Sequence, residues 1–125
     1  MFLIDTHALI WAMADENKLS LAAKEAIKTS SNICISIASL WEIAIKQNIG
    51  KLNFNRTISE IATECQKHDI AILPIMPNHL DHIKTLPKIH GDPFDRLLIA
   101  QAETENLTII TKDSIIPKYG IPTIW

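Results

Sequence analysis

Glycine is scarce in this chain. Gly50, Gly91 and Gly120 are the only three in 125 residues, and they are too far apart to form a glycine-rich phosphate loop. Cysteine is nearly absent as well. Cys34 and Cys65 stand alone in apolar or helical surroundings without metal-ligand spacing, and read as buried free thiols rather than a disulfide. No apolar run is long enough to span a bilayer. The N-terminal MFLID enters a short apolar run without the basic lead of a signal peptide. Positive charge is not in excess. The net charge of −2 excludes a broad basic footprint for nucleic acid, so any such binding must come from local basic patches or a metal. These absences point to a cytoplasmic protein with no membrane contact. No Ser-His-Asp or Cys-His arrangement has support beyond composition.

What is present is a compact profile, with 47% hydrophobic and 21% charged residues. Residues 1–125 are expected to form one domain, large enough to bury a core. Short apolar runs read as strands: Phe2–Ile4, Asn32–Ser36, Ala71–Leu73, Leu107–Thr111 and Ile121–Trp125. Between them lie helical stretches at Thr6–Ala14, Leu21–Thr29, from Ser39 to near Gly50, from Thr57 to about Lys67, Asn78–Leu86, and Pro93 to about Asn106. Ser20 reads as an N-cap, and Thr57-Ile-Ser-Glu60 as a capping box. This alternation predicts an α/β fold with a largely parallel central sheet flanked by helices.

The stretch that organises the rest is HGDPFDRLLIAQAE, His90 to Glu103. Asp92 occupies an N-cap position, Pro93 the first helical position, and Asp95 lies in the first turn near the positive dipole end. Other acids stand at comparable corners. Asp5 follows the first strand, Asp113 follows the fourth, and Glu42 lies in the first turn of a helix after the second. In a parallel sheet these positions share the carboxyl edge, where open α/β sheets place ligands. Four or five converging carboxylates repel one another unless a cation joins them. Oxygen donors suit a hard divalent ion, Mg²⁺ or Mn²⁺, with water completing its shell. A site of Asp5, Glu42, Asp92, Asp95 and Asp113 would then serve phosphodiester hydrolysis.

Each acid also has a purely structural explanation. Asp5, Asp92 and Asp113 can cap, and Ser39-Leu-Trp-Glu42 is itself a capping-box pattern. His79 and His82, at i and i+3, lack a third ligand and read as surface histidines. His90 could carry a proton but reads better as a loop residue. Trp11 and Trp41 read as core rather than base-stacking platforms. Lys46, Lys51, Arg56, Arg96 and Lys112 could contact phosphates or simply form a solvated face. Arg96 and Lys112 stand out because each adjoins a proposed ligand.

Taken together, LIDTHALIW, SIASLWEIAIKQNIGKL, HGDPFDRLLIAQA and TIITKD followed by YGIPTIW resemble a PIN domain of the VapC toxin type, over the whole chain. The resemblance implies a PIN-like three-layer fold and a metal-dependent endoribonuclease that cuts RNA and inhibits translation. The family's four catalytic acids fall on Asp5, Glu42, Asp95 and Asp113. Asp92 is an added acid of the DPFD variant that could be ligand, cap or water-holder. Thr6, Ser39 and Thr111 could hold positions behind the ligands. A cognate antitoxin and a homodimer are also implied. Two other readings stand beside this one. A phosphatase with an aspartyl nucleophile after strand one usually wants a second Asp two residues on, which Asp5-Thr6-His7 lacks. A non-catalytic module could use the acidic edge to bind a basic peptide.

Overall fold

Leu3 and Ile4 point to opposite faces of the central strand, and each enters a different hydrophobic cluster. That strand is β1 (Phe2–Ile4). The computed structural model describes residues 1–125. After β1 come α1 (Thr6–Ala14), α2 (Leu21–Thr29), β2 (Ile33–Ser36), α3 (Ile37–Asn48), α4 (Ile58–Lys67) and β3 (Ile70–Leu73). The chain continues through α5 (Pro77–Ile83), α6 (Pro93–Glu105), β4 (Thr108–Ile110) and β5 (Thr123–Ile124). Short 3-10 turns lie at Glu16–Lys18 and Ile116–Tyr119.

The sheet order is β3-β2-β1-β4-β5, and every pairing is parallel. Ile4, Ile35 and Ile110 pack with Ala8, Leu9, Ala23, Leu40, Ile43 and Ile61, so α1 to α4 cover one face. Leu3 and Ile109 pack with Leu98, Ile99, Ala102 and Ile116, so α6 and the second 3-10 turn cover the other, with Ile83 of α5 against them. This is the expected three-layer α/β arrangement, and burial on both faces explains the near-continuous apolar strands. From β1 the chain builds outward to β2 and β3, then returns to β4 on the other side. The order therefore reverses between β1 and β4, and the crevice beyond their carboxyl ends is where such a sheet takes a ligand.

Several local expectations shift. Helix α3 begins at Ile37, not Ser39. The Ser36 hydroxyl accepts from the Ala38 N–H at 3.1 Å, so β2 runs straight into the helix without a loop. Glu42 is therefore in the second turn, and the Ser39–Glu42 capping box does not form. Helix α5 starts at Pro77 and stops at Ile83, leaving Leu80 exposed although Leu86 is buried. Leu21, at the start of α2, is exposed, and Ala23 and Ala26 supply the helix's contact face. The Thr57–Glu60 capping box forms as expected, and Asn106 ends α6 in the left-handed conformation at φ 55°.

Candidate active site at the carboxyl edge of the sheet

Asp5 leaves the end of β1 and caps α1, its Oδ1 accepting the Ala8 N–H at 2.8 Å. Its own N–H donates to the Ile110 carbonyl at 3.1 Å, which ties the β1 and β4 ends together. Asp5 is buried. Burial raises its pKa, with the nearby Asp113 charge adding to the rise; hydrogen bonds from Thr111 and the Ala8 N–H and the nearby His7 oppose it. After β4, the Thr111 hydroxyl accepts the Asp113 N–H at 3.0 Å. Asp113 Oδ1 in turn accepts the N–H groups of Ile115 and Ile116 at 2.6 and 3.3 Å. Asp5 thus caps α1, whereas Asp113 holds the N–H groups leading into the Ile116–Tyr119 turn without being its N-cap; in each Oδ1 is engaged and no bonded N–H occupies Oδ2.

Glu42 reaches the same edge from α3. The Thr6 hydroxyl donates to its Oε1 at 2.7 Å, and Lys46 Nζ lies 2.9 Å from its Oε2. Thr6 Oγ1 also lies 2.9 Å from Ser39 Oγ. A hydroxyl has one proton, so Ser39 supplies the hydrogen of that second bond. Thr6 and Ser39 thus stand behind Glu42, as expected, and both Glu42 oxygens are engaged. Asp92 caps α6 through Oδ1, which accepts the N–H groups of Phe94 and Asp95 at 2.9 and 3.0 Å. Asp95 is partly buried, with Oδ2 3.1 Å from His90 Nε2. Burial pushes its pKa up to about 6, the charges of Asp92 and Asp113 adding to the rise and the His90 bond opposing it.

Asp5, Glu42, Asp92, Asp95 and Asp113 line one cleft of about 510 Å³, with Lys46 and Lys112 as its cations. The residues are brought together, but less tightly than expected: no three Asp, Glu, His or Cys side chains close on a single ligand point. A second cleft of about 420 Å³ shares none of these acids and has an apolar floor that includes Leu9, Met13, Ile27 and Ile70.

Other candidates move. Arg96 is not free for phosphate, because Nη1 donates to the Pro87 carbonyl at 2.8 Å and to Tyr119 Oη at 3.1 Å. Lys112 stays at the cleft, its Nζ 5.8 Å from the Trp11 ring. Trp11 is half-buried on the cleft wall, and Trp41 is exposed with its edge against Phe94, so neither is simply core. His79 is wholly buried between the Met76 N–H and Glu105, not on the surface. Both cysteines are free, and burial raises the Cys34 thiol to about 11. His90 is more than an ordinary loop residue. It is half-buried and joins Asp95 to Tyr119, a link that no spacing in the sequence could signal because Tyr119 is 29 residues away.

A family model described as the PIN domain matches residues 2–122. The chain is similar to ribonuclease VapC22 of Mycobacterium tuberculosis, 26% identical over 127 residues that cover 98% of this chain and 97% of that protein. Among solved structures, it is similar to VapBC2 from Rickettsia felis bound to a DNA fragment from its promoter. That match has a TM-score of 0.74 at 13% identity, over 98% of this chain and 96% of the other. FitAcB from Neisseria gonorrhoeae matches with a TM-score of 0.70 at 14% identity, over 100% and 97%. A toxin–antitoxin complex from Klebsiella pneumoniae matches with a TM-score of 0.67 at 20% identity, over 100% and 97%. At these identities the structural likeness concerns the fold.

Proposed function

The chain belongs to the PIN domain family, and on that premise we propose that it is a Mg²⁺- or Mn²⁺-dependent endoribonuclease, the toxin of a toxin–antitoxin pair. The observation that carries this reading is the single cleft, at the reversal point of the sheet, lined by five carboxylates from four separate parts of the chain. The name of the Mycobacterium relative supports the RNA substrate, and the Klebsiella complex supports an antitoxin partner.

The donor set fits a hard divalent ion. It is all carboxylate oxygen. In Asp5, Asp92 and Asp113 backbone N–H groups reach one oxygen and none reaches the other, Asp5 also taking a hydrogen bond from Thr111, and in Asp95 only Oδ2 has a partner, His90 Nε2. The raised pKa values of Asp5 and Asp95 reflect in part charge that a cation would compensate. Mg²⁺ is commonly held by one or two carboxylates with several waters, so a closed three-ligand point is not required. Asp5, Asp95 and Asp113 would hold the ion, with Asp92 at the rim. Such an ion supplies stabilisation of charge on the phosphate and a more acidic water.

The protein's own groups prepare the rest. Thr6 and Ser39 orient Glu42, and Lys46 balances its charge. Lys112 stands where it can donate to a phosphate oxygen, as can Lys46 once released from Glu42. An antitoxin that presents a basic side chain to this acidic edge would compete with both. The exposed side chains of Ile37, Trp41 and Ile45 on α3 and of Ile49 just past its end, spaced four apart, support a homodimer. No helix is long and apolar enough to cross a membrane, and we place the protein in the cytoplasm with its substrate. Expression of the chain alone should arrest growth, and Asp5→Asn should relieve the arrest. Equal harmlessness of the two proteins contradicts the toxin reading.

A further inference from the structure

Tyr119 ends the 3-10 turn Ile116–Tyr119, remote in sequence from every acid of the cleft except Asp113. Its hydroxyl is nevertheless the hub of a chain of hydrogen bonds that reaches Asp95. Arg96 Nη1 lies 3.1 Å from Tyr119 Oη, and the His90 backbone nitrogen 3.3 Å from it. Both groups can only donate. His90 Nδ1 lies 2.6 Å from the same oxygen, and His90 Nε2 lies 3.1 Å from Asp95 Oδ2.

A phenol oxygen has two acceptor sites and one proton. The two N–H groups fill the acceptor sites, so the Tyr119 proton goes to His90 Nδ1. His90 Nδ1 is therefore an acceptor, and the ring hydrogen sits on Nε2, aimed at Asp95. A proton on Nδ1 instead would bring a third donor to an oxygen with two lone pairs and leave the phenol proton unplaced. Arg96 is pinned at its other contact by the Pro87 carbonyl at 2.8 Å. The hub is thus fixed from the loop before α6 and from α6 itself.

We propose that Tyr119 and His90 are positioning residues for Asp95. Tyr119 sets the ring hydrogen of His90 on Nε2, and that N–H holds Asp95 Oδ2, leaving Oδ1, which has no hydrogen-bond partner within the protein, for a divalent cation in the cleft. This rests on the metal-dependent reading above. The inference assigns Tyr119 a part in the site although it does not line the cleft, and gives Arg96 the task of holding Tyr119 in place of a phosphate.

Two measurements test it. The first is the nitrogen-15 spectrum of the histidine rings in EDTA, which reads the tautomer without any metal. His79 supplies a reference in the same spectrum, since its Nδ1 accepts the Met76 N–H at 3.0 Å and its hydrogen must also be on Nε2. Wild-type His90 should show the same pattern, and Tyr119→Phe should lose it. The second is calorimetric titration with Mg²⁺ alone, alongside melting in EDTA to establish folding. Tyr119→Phe and His90→Phe should weaken Mg²⁺ binding roughly 10-fold or more. His90→Gln, whose amide nitrogen can stand where Nε2 stood, should retain most of it. A wild-type His90 carrying its hydrogen on Nδ1, or folded Tyr119→Phe and His90→Phe proteins with undiminished affinity, overturns the inference and leaves the function standing. Wild type that binds no Mg²⁺ overturns the metal reading itself, and the inference with it.

Discussion

A carboxyl group withdrawn from water holds its proton more tightly, and Asp95 does so up to about pH 6 against an ordinary 3.8. The folded state therefore binds this proton better than the unfolded state. Its stabilising contribution is full below about pH 4 and is lost as the pH rises through about 6. Across that window the metal-free protein should therefore lose stability from this group, by less than the full linkage value because Asp95 keeps partial contact with solvent. Asp95→Asn removes the titration and should cost little otherwise. In EDTA the variant should melt close to wild type at pH 4 and several degrees above it at pH 7. A constant difference between the two proteins across that range would count against this account of Asp95. Asp5 was legible because it directly follows an apolar run, Asp113 because it comes just after one with only Thr111 and Lys112 between, and Asp92 and Asp95 because Pro93 marks a helix start. His90, Tyr119 and Arg96 were not legible, since their partnership depends on the 3-10 turn folding back over the start of α6.

The start of α3 shows how an element can be read correctly in kind and wrongly in register. Ile33 to Ile37 is rich in β-branched residues, and Ser39 followed by Glu42 imitates a capping box. Both features pull the apparent helix start toward Ser39. The buried Ser36 hydroxyl decides the matter by capping α3 at the last residue of β2. Ser36→Ala should therefore lower stability by about 1 kcal/mol, within the usual 0.5–2 for a lost N-cap. Ser39→Ala should leave the cap intact and act on Glu42 through Thr6. Denaturant melts of the two variants, with circular dichroism of the helix, check this; a larger helix loss in Ser39→Ala would contradict it. The order of helices and strands was readable because apolar period and caps agreed in most elements. The length of α5 was not, because Leu80, Ile83 and Leu86 keep a helical spacing that the chain abandons after Ile83.

At the scale of the molecule, what matters is that β1 and β4 are neighbours although β4 is last but one in sequence. That single adjacency brings Asp5 and Asp113 to one crevice. Sequence alternation implies a parallel sheet but does not state the strand order, so the shared edge was inferable and its tightness was not. The cleft that the acids line, of about 510 Å³, has the volume for a hydrated ion and a phosphate together. The apolar stripe on α3 gives a separate prediction. Light scattering should find a dimer, and Trp41→Asp, a substitution on the exposed side of α3, should yield a folded monomer. A wild-type monomer at high concentration would remove the dimer. The central claim is tested most directly by cleavage of a structured RNA with the purified, partner-free protein. With Mg²⁺ or Mn²⁺ the wild type should cut the RNA, EDTA should stop it, and Asp5→Asn should be inactive with metal present. Cleavage at an equal rate in EDTA, or by Asp5→Asn, would contradict it.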